Sequence, residues 1–221
     1  RQSTQNYLMN FLAHLHCSPN HESIRFYNFT GDGYRGNAWK EKANPAVVLG
    51  VELHRFIDHF ADQHNTSKEV KRHLRLVAGK TAPIALDLLG DYFLHKHWRK
   101  MASLQPHTEH LTVVEFIDTC TIEIERSKKL LVGKAKGMWP WMKLEEWLLD
   151  YQNLKGIRRA ARGMSRRHPA IAPLGQFFND FEAGSSNYLR AEQWFLTFYP
   201  ELILACQKFV KEHPLSKAAG L

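Results

Sequence analysis

Pro45–His64 reads PAVVLGVELHRFIDHFADQH, and the period of this stretch decides the fold class. Val47, Val48, Val51, Leu53, Phe56, Ile57 and Phe60 recur at three- and four-residue steps, the spacing of one buried helix face. Pro45 suits the first turn, where its missing N–H would be unpaired anyway. On this helix His54, Asp58 and Asp62 follow at four-residue intervals and form a polar ridge. Neighbours at that spacing lie about 5–6 Å apart at Cβ, close enough for two of them to share a metal ion. The ridge runs beside residues expected to face the core, where an unpaired carboxylate is costly. A solvated acidic face is the other reading of the ridge taken alone.

The helical period continues outward. Thr66 and Glu69 have capping-box spacing, which predicts a helix from there to about Ala78, stopped by Gly79. Another is expected over Ala82–Met101, and more at Thr112–Val132, Pro140–Asn153, Leu154–Arg167, Ala170–Glu182 and Ser186–Lys211. Only Thr119–Glu125 alternates briefly like a strand. Gly133–Trp139, rich in lysine and glycine, reads as the most mobile loop. The expected architecture is all-α, a single compact helical domain over residues 9–221. Arg1–Leu8 precede Met9 without a signal-peptide layout and read as an upstream extension or cloning remnant.

Composition narrows the classes. The chain has 221 residues, 44% hydrophobic and 24% charged, enough for one full core. No apolar run nears the roughly 20 residues needed to cross a bilayer, so no membrane association is expected. Cys17, Cys120 and Cys206 are widely spaced, which suits buried apolar roles and a reducing, cytoplasmic setting. The formal charge is +8, so an anionic partner is expected.

A second acidic pair, Asp87 and Asp91, stands one turn apart in ALDLLGDYFLHKHW (Ala85–Trp98). Two helices offering carboxylates at i and i+4, one with an imidazole, can enclose one or two divalent cations, as facing helices of bundles do. His95 and His97 read as surface or interface residues. Met9–His16 (MNFLAHLH) places His14 and His16 on different helix faces, so one of them is expected to point inward. Asp32 sits between Gly31 and Gly33, which alone reads as a turn. A mixed histidine–carboxylate set suits Mn²⁺, Mg²⁺ or Fe rather than a thiolate zinc site. Phosphate-loop, GxSxG and HExxH signatures are absent, and no GxGxxG follows a strand. Lys155, Arg158, Arg159, Arg162, Arg166 and Arg167 occur with no acid among them, four of them on one helix face. Aromatic residues do not interleave with these charges, which favours an acidic protein over nucleic acid.

MNFLAHLH, the GDGYRG around Asp32, LHRFIDHFADQH and LDLLGDYFLHKHW together resemble the successive motifs of acyl carrier protein phosphodiesterases. GMSRRHP (Gly163–Pro169) and WFLTFYP (Trp194–Pro200) are similar more weakly, and the resemblance spans roughly Met9–Lys211. It implies a divergent HD-type helical phosphohydrolase fold. It also implies hydrolysis of the phosphodiester joining 4′-phosphopantetheine to a serine of acyl carrier protein, with Mn²⁺ or Mg²⁺. The matched polar positions are His14, Asp32, His54, Asp58, Asp62, Asp87 and Asp91. HD enzymes carry an adjacent His-Asp pair, which this chain lacks; His54 and Asp58 are expected to serve instead. Tyr92 stands where the family pattern has histidine, and Thr112–Asp150 matches poorly.

The resulting expectation assigns Asp32, His54, Asp58, Asp87 and Asp91 to the metal and Asp62 or His14 to proton transfer. Arg35, Arg55 and Arg166 are expected to grip phosphate, and Lys155, Arg158, Arg159, Arg162 and Arg167 to dock the acidic carrier. Hydrolysis of a nucleotide or other small phosphoester is one rival reading, and a non-catalytic helical binding protein is another.

Overall fold

The computed structural model describes residues 11–167 and 169–221, with the backbone alone at residue 167. The expected extension over residues 1–8 and the Arg167 side chain lie outside what is described. Among the described residues the secondary structure is helical throughout, with no strand. No helix is long and apolar enough to cross a membrane.

The chain enters through α1 (Phe11–His16), a short helix whose every residue is buried. Helix α2 (Glu22–Phe29) leads into a 3-10 turn at Gly31–Gly33, and a second at Ala38–Lys42 precedes α3 (Pro45–Gln63). The period of α3 is realised residue by residue. Pro45 stands at its start, the Asn44 side chain accepts from Val47 N, and Leu49, Val51, Leu53 and Ile57 have no exposed surface. Helices α2 and α3 lie unusually close at Gly50. A Cβ there would come within 2.7 Å of Ile24 O and Tyr27 Cβ, so only glycine fits.

Next come α4 (Asn65–Ala78) and α5 (Ala82–Lys96). Helix α5 is buried nearly all round, from Ala82 to His95, which makes it the central helix of the core. Helices α1, α4 and α12 (Ser186–Glu212) pack against it. The remaining elements are α6 (Trp98–Ala102), α7 (Val113–Ser127), α8 (Gly133–Leu144), α9 (Trp147–Asp150), α10 (Leu154–Arg167) and α11 (Ala172–Asn179).

Several expectations are corrected. The capping box forms at Thr112 and Glu115, where both reciprocal bonds are made, and not at Thr66 and Glu69. Helix α4 begins one residue early at Asn65, and Thr66 Oγ1 pairs instead with His64 Nδ1. The helix expected over Ala82–Met101 breaks at His97, whose N–H is taken by Phe93 O and His95 O. Gly133–Trp139 is no mobile loop but the first turns of α8, with Ala135, Trp139 and Met142 buried. Trp139 Nε1 anchors that helix by donating to Glu125 Oε1 at 2.7 Å. His14 and His16 both point inward, because α1 is enclosed on every side. His95 is buried too, its Nε2 donating to Leu148 O at 2.6 Å, because its side of α5 packs against the segment that carries Leu148. The three cysteines are free and buried.

Candidate metal centre

Three of the expected residues converge. His14 comes from α1, and His54 and Asp58 from one face of α3. One ligand atom from each lies within 4.8 Å of the other two. His14 Nε2 is 3.3 Å from Asp58 Oδ1, and His54 Nε2 is 3.4 Å from Asp58 Oδ2. The two imidazoles stack with ring centroids 4.2 Å apart and planes inclined by 21°. Their Nδ1 atoms face away from the carboxylate, toward Asn28 of α2.

The close fit of α3 to the Gly31–Gly33 turn sets this arrangement. A Cβ on Gly31 would lie 2.5 Å from His54 Cβ, so the first glycine of GDG is a packing requirement rather than only a turn signal. Gly33 meets the start of α8, where Gly133 adopts φ +59° and a Cβ would clash with Gly33 Cα at 2.5 Å. Asp32 is thereby wedged between α3 and α8, its Oδ2 accepting from Lys134 N at 3.3 Å.

These residues line a cavity of about 570 Å³ together with Phe11, Phe29, Tyr34, Arg35, Arg55 and Lys134. Its polar wall is under-satisfied. Asp32 Oδ1 is buried with no hydrogen-bond partner, and His14 Nε2 and Asp58 Oδ1 are buried with none besides each other. Orphaned buried acceptors of this kind normally mark a place for water or an ion. Two imidazoles and carboxylate oxygens fit a borderline-hard divalent cation such as Mn²⁺.

The electrostatics point the same way. Burial opposes protonation of His14, but the hydrogen bond and charge of Asp58 outweigh it and hold its pKa above the ordinary value. Burial, with His14 close by, pushes His54 down to about 4 and so keeps it neutral. Burial works to raise Asp58, yet the two histidines overcome it and hold its carboxyl below the usual range. Burial raises Asp32. A cation at the centre would relieve each of these unmatched demands at once.

The other expected site residues fall elsewhere. Asp91 is fully buried, and both its oxygens accept main-chain N–H groups at the start of α1: Leu12 N at 3.3 Å and Ala13 N at 3.2 Å. Through these two bonds it anchors α1, and it does not line the cavity. Asp87, half-buried one turn earlier on α5, does not line the cavity. Asp62 lies two turns from His54 on the outer end of α3, exposed and ion-paired with Lys71 at 2.6 Å. Arg35 lines the cavity with its side chain exposed. Arg55 lines it too, but its guanidinium is committed: Nη2 donates to Tyr34 O and Gly36 O, and Nη1 to Asn37 Oδ1. Its part is to brace the loop after Asp32. Arg166 is exposed on α10, which contributes nothing to the cavity. On the same helix Arg158 is tied to Phe178 O, Phe181 O and Glu182, and Arg159 to Asp150, leaving Lys155, Arg162 and Arg166 as the exposed cationic face.

Three residues escaped the sequence reading: Asn28, Gly133 and Lys134. Asn28 carried a signal, standing four residues before Asp32 in a helix otherwise apolar and aromatic at its end. Gly133 and Lys134 carried none, since their approach to Asp32 is made across about a hundred residues of chain.

The family model described as acyl carrier protein phosphodiesterase matches residues 9–202. The chain belongs to the acyl carrier protein phosphodiesterase family. A protein of that name from Yersinia enterocolitica serotype O:8 is 32% identical over 199 residues, covering 90% of this chain and 98% of its own. Another from Serratia proteamaculans is 32% identical over 195 residues, covering 88% and 96%. One from Escherichia coli O157:H7 is 30% identical over the same length, with the same coverage. No solved structure matches. The match to a phosphodiesterase family runs through α1, α2, α3 and α8, the elements that build the cavity.

Proposed function

We propose that this family member hydrolyses the phosphodiester between 4′-phosphopantetheine and the serine of holo-acyl carrier protein, releasing the apo-protein, with a divalent cation held by His14, His54 and Asp58. Mn²⁺ is the preferred ion and Mg²⁺ the second choice, given two imidazoles in the set. Asp32, on the facing wall, is the fourth group offered to it. The reaction takes place in the cytoplasm. The observation that carries the reading is the cluster of two imidazole Nε2 atoms and the Asp58 carboxylate, with the buried, unpartnered Asp32 Oδ1 beside it, on one cavity.

Such an ion lowers the pKa of water and offsets charge on a phosphoryl oxygen. The protein's own groups do the rest. Arg35 and Lys134 line the cavity as cations suited to the non-bridging oxygens of the diester. Arg55 fixes the Tyr34–Asn37 loop that carries Arg35. Phe11 and Phe29 supply an apolar wall that excludes bulk water. Asp62 lies outside the cavity, so proton delivery to the leaving serine oxygen falls to groups that line it. The exposed face of Lys155, Arg162 and Arg166 serves as a docking field for the acidic carrier, acting mainly on encounter rate.

The test incubates the protein with holo-acyl carrier protein, with Mn²⁺ or with EDTA, and follows the carrier's mass. Cation-dependent loss of the phosphopantetheine mass is the expected result. An unchanged carrier alongside cleavage of nucleotide phosphates would replace the substrate assigned here. Failure to bind Mn²⁺, with no change in stability on adding it, would replace the catalytic reading altogether.

A further inference from the structure

Asn28 of α2 is fully buried and touches both imidazoles. Its side-chain Oδ1 lies 2.9 Å from His14 Nδ1, and its main-chain oxygen lies 2.8 Å from His54 Nδ1. A carbonyl oxygen only accepts, so His54 Nδ1 carries hydrogen and donates. The orientation of the Asn28 amide is fixed by its own donors. Nδ2 donates to His14 O at 2.7 Å and to Ser18 Oγ at 2.8 Å, while Ser18 Oγ donates to His14 O at 2.9 Å. Turned over, the amide would set Oδ1 against the His14 carbonyl oxygen in a fully buried place, losing two bonds. Oδ1 therefore faces the His14 ring, and His14 Nδ1 must donate to it.

We propose that Asn28 is the positioning residue of the centre: its side chain and its main-chain oxygen hold His14 and His54 both as Nδ1–H tautomers, so that both Nε2 lone pairs are turned on Asp58 and on a cation bound there. The partner of one ring nitrogen decides what the other can do. In metal sites such partners also fix the ring's angle, and losing one typically weakens metal affinity roughly 10–100-fold. Two distinct atoms of Asn28 serve the two rings, which gives the proposal an asymmetric signature. Changing the side chain releases His14 and leaves His54 held by the backbone.

The proposal rests on the cation-site reading above, yet the tautomers are read in metal-free protein, so the two fail separately. Ring nitrogens of ¹⁵N-histidine-labelled protein are observed by NMR at alkaline pH, and Mn²⁺ dissociation constants are measured by calorimetry. Wild type is expected to show Nδ1–H at both residues. Asn28→Ala should convert His14 to a tautomer mixture, keep His54 as Nδ1–H, and weaken Mn²⁺ binding roughly 10–100-fold. Asn28→Asp retains an acceptor toward His14 Nδ1 but loses the Nδ2 donor to His14 O and Ser18 Oγ, so it should restore the Nδ1–H state at a cost in stability. A folded Asn28→Ala protein with His14 still fixed as Nδ1–H and unchanged Mn²⁺ affinity would overturn the proposal. Should Asn28→Ala fail to fold, an Nε2–H His14 in wild type or in Asn28→Asp would overturn it instead.

Discussion

Helices α3 and α5 each present a pair of polar side chains one turn apart, and the structure treats them in opposite ways. On α3, Asp58 meets two imidazole Nε2 atoms at 3.3 and 3.4 Å, and its buried Oδ1 has no partner besides His14. On α5, Asp91 spends both oxygens on the N–H groups of Leu12 and Ala13. The spacing along the sequence is the same, although Asp91 is fully buried and Asp58 keeps some exposure toward the cavity. What separates a site from an anchor is whether neighbouring backbone has already claimed the carboxylate. Asp91 completes the unsatisfied N-terminal end of α1 and so places His14, which makes its contribution to the centre indirect.

This contrast can be broken most severely at Asp58. Asp58→Ala should lower turnover of the carrier substrate by at least about three orders of magnitude while circular dichroism and melting temperature stay near wild type. Near-normal activity with intact metal binding would mean that α3 is not the site. Next in size is Gly31→Ala, whose Cβ would fall 2.5 Å from His54 Cβ. Displacing His54 should cut activity about a hundredfold, and a variant with unchanged kinetics would show that the fit of GDG to α3 is dispensable.

Asp91→Ala probes the other helix. It leaves two buried N–H groups without acceptors, and a loss of about 1–3 kcal/mol in urea denaturation is expected. The folded fraction should still bind Mn²⁺; abolished binding in a folded variant would merge the two helices into one site. Asp62→Asn sharpens the comparison within α3 itself. Its carboxylate is exposed and outside the cavity, while its partner Lys71 is largely covered, so activity should stay near wild type with only a small loss of stability. A large fall in activity would return Asp62 to the mechanism.

A pH dependence is also expected outside the centre. Burial, with Arg25 and His16 nearby, pushes His107 down to about 4. The unfolded chain takes up this proton near pH 6.5 and the folded one only near 4, so His107 costs stability progressively as pH falls across that window. His107→Gln should therefore gain on wild type between pH 6.5 and 4 in denaturant titrations, and a constant difference over that range would contradict the assignment.

Much of this was legible in the sequence for a physical reason: helical period and turn residues are local. The bounds of α3 and α10, and the ridge of His54 and Asp58, follow from spacing alone. The GDG motif was visible, but its cause was not. Its glycines answer to the Cβ of His54 and the backbone at Val132 and Gly133, which come together only on folding. Lysines and glycines at Gly133–Trp139 suggested a loop because the burial of Ala135 and Trp139 depends on tertiary partners. Asp91 looked like a ligand because nothing in the local sequence announces that α1 will present its N–H groups there.

The most direct measurement is an anomalous difference map from a crystal of the protein soaked in Mn²⁺. A peak bounded by His14 Nε2, His54 Nε2 and Asp58, open to the cavity that Asp32 and Lys134 line, is the predicted result. A peak beside Asp87 and Asp91 on α5, with the α1–α3 cluster empty, would contradict the account.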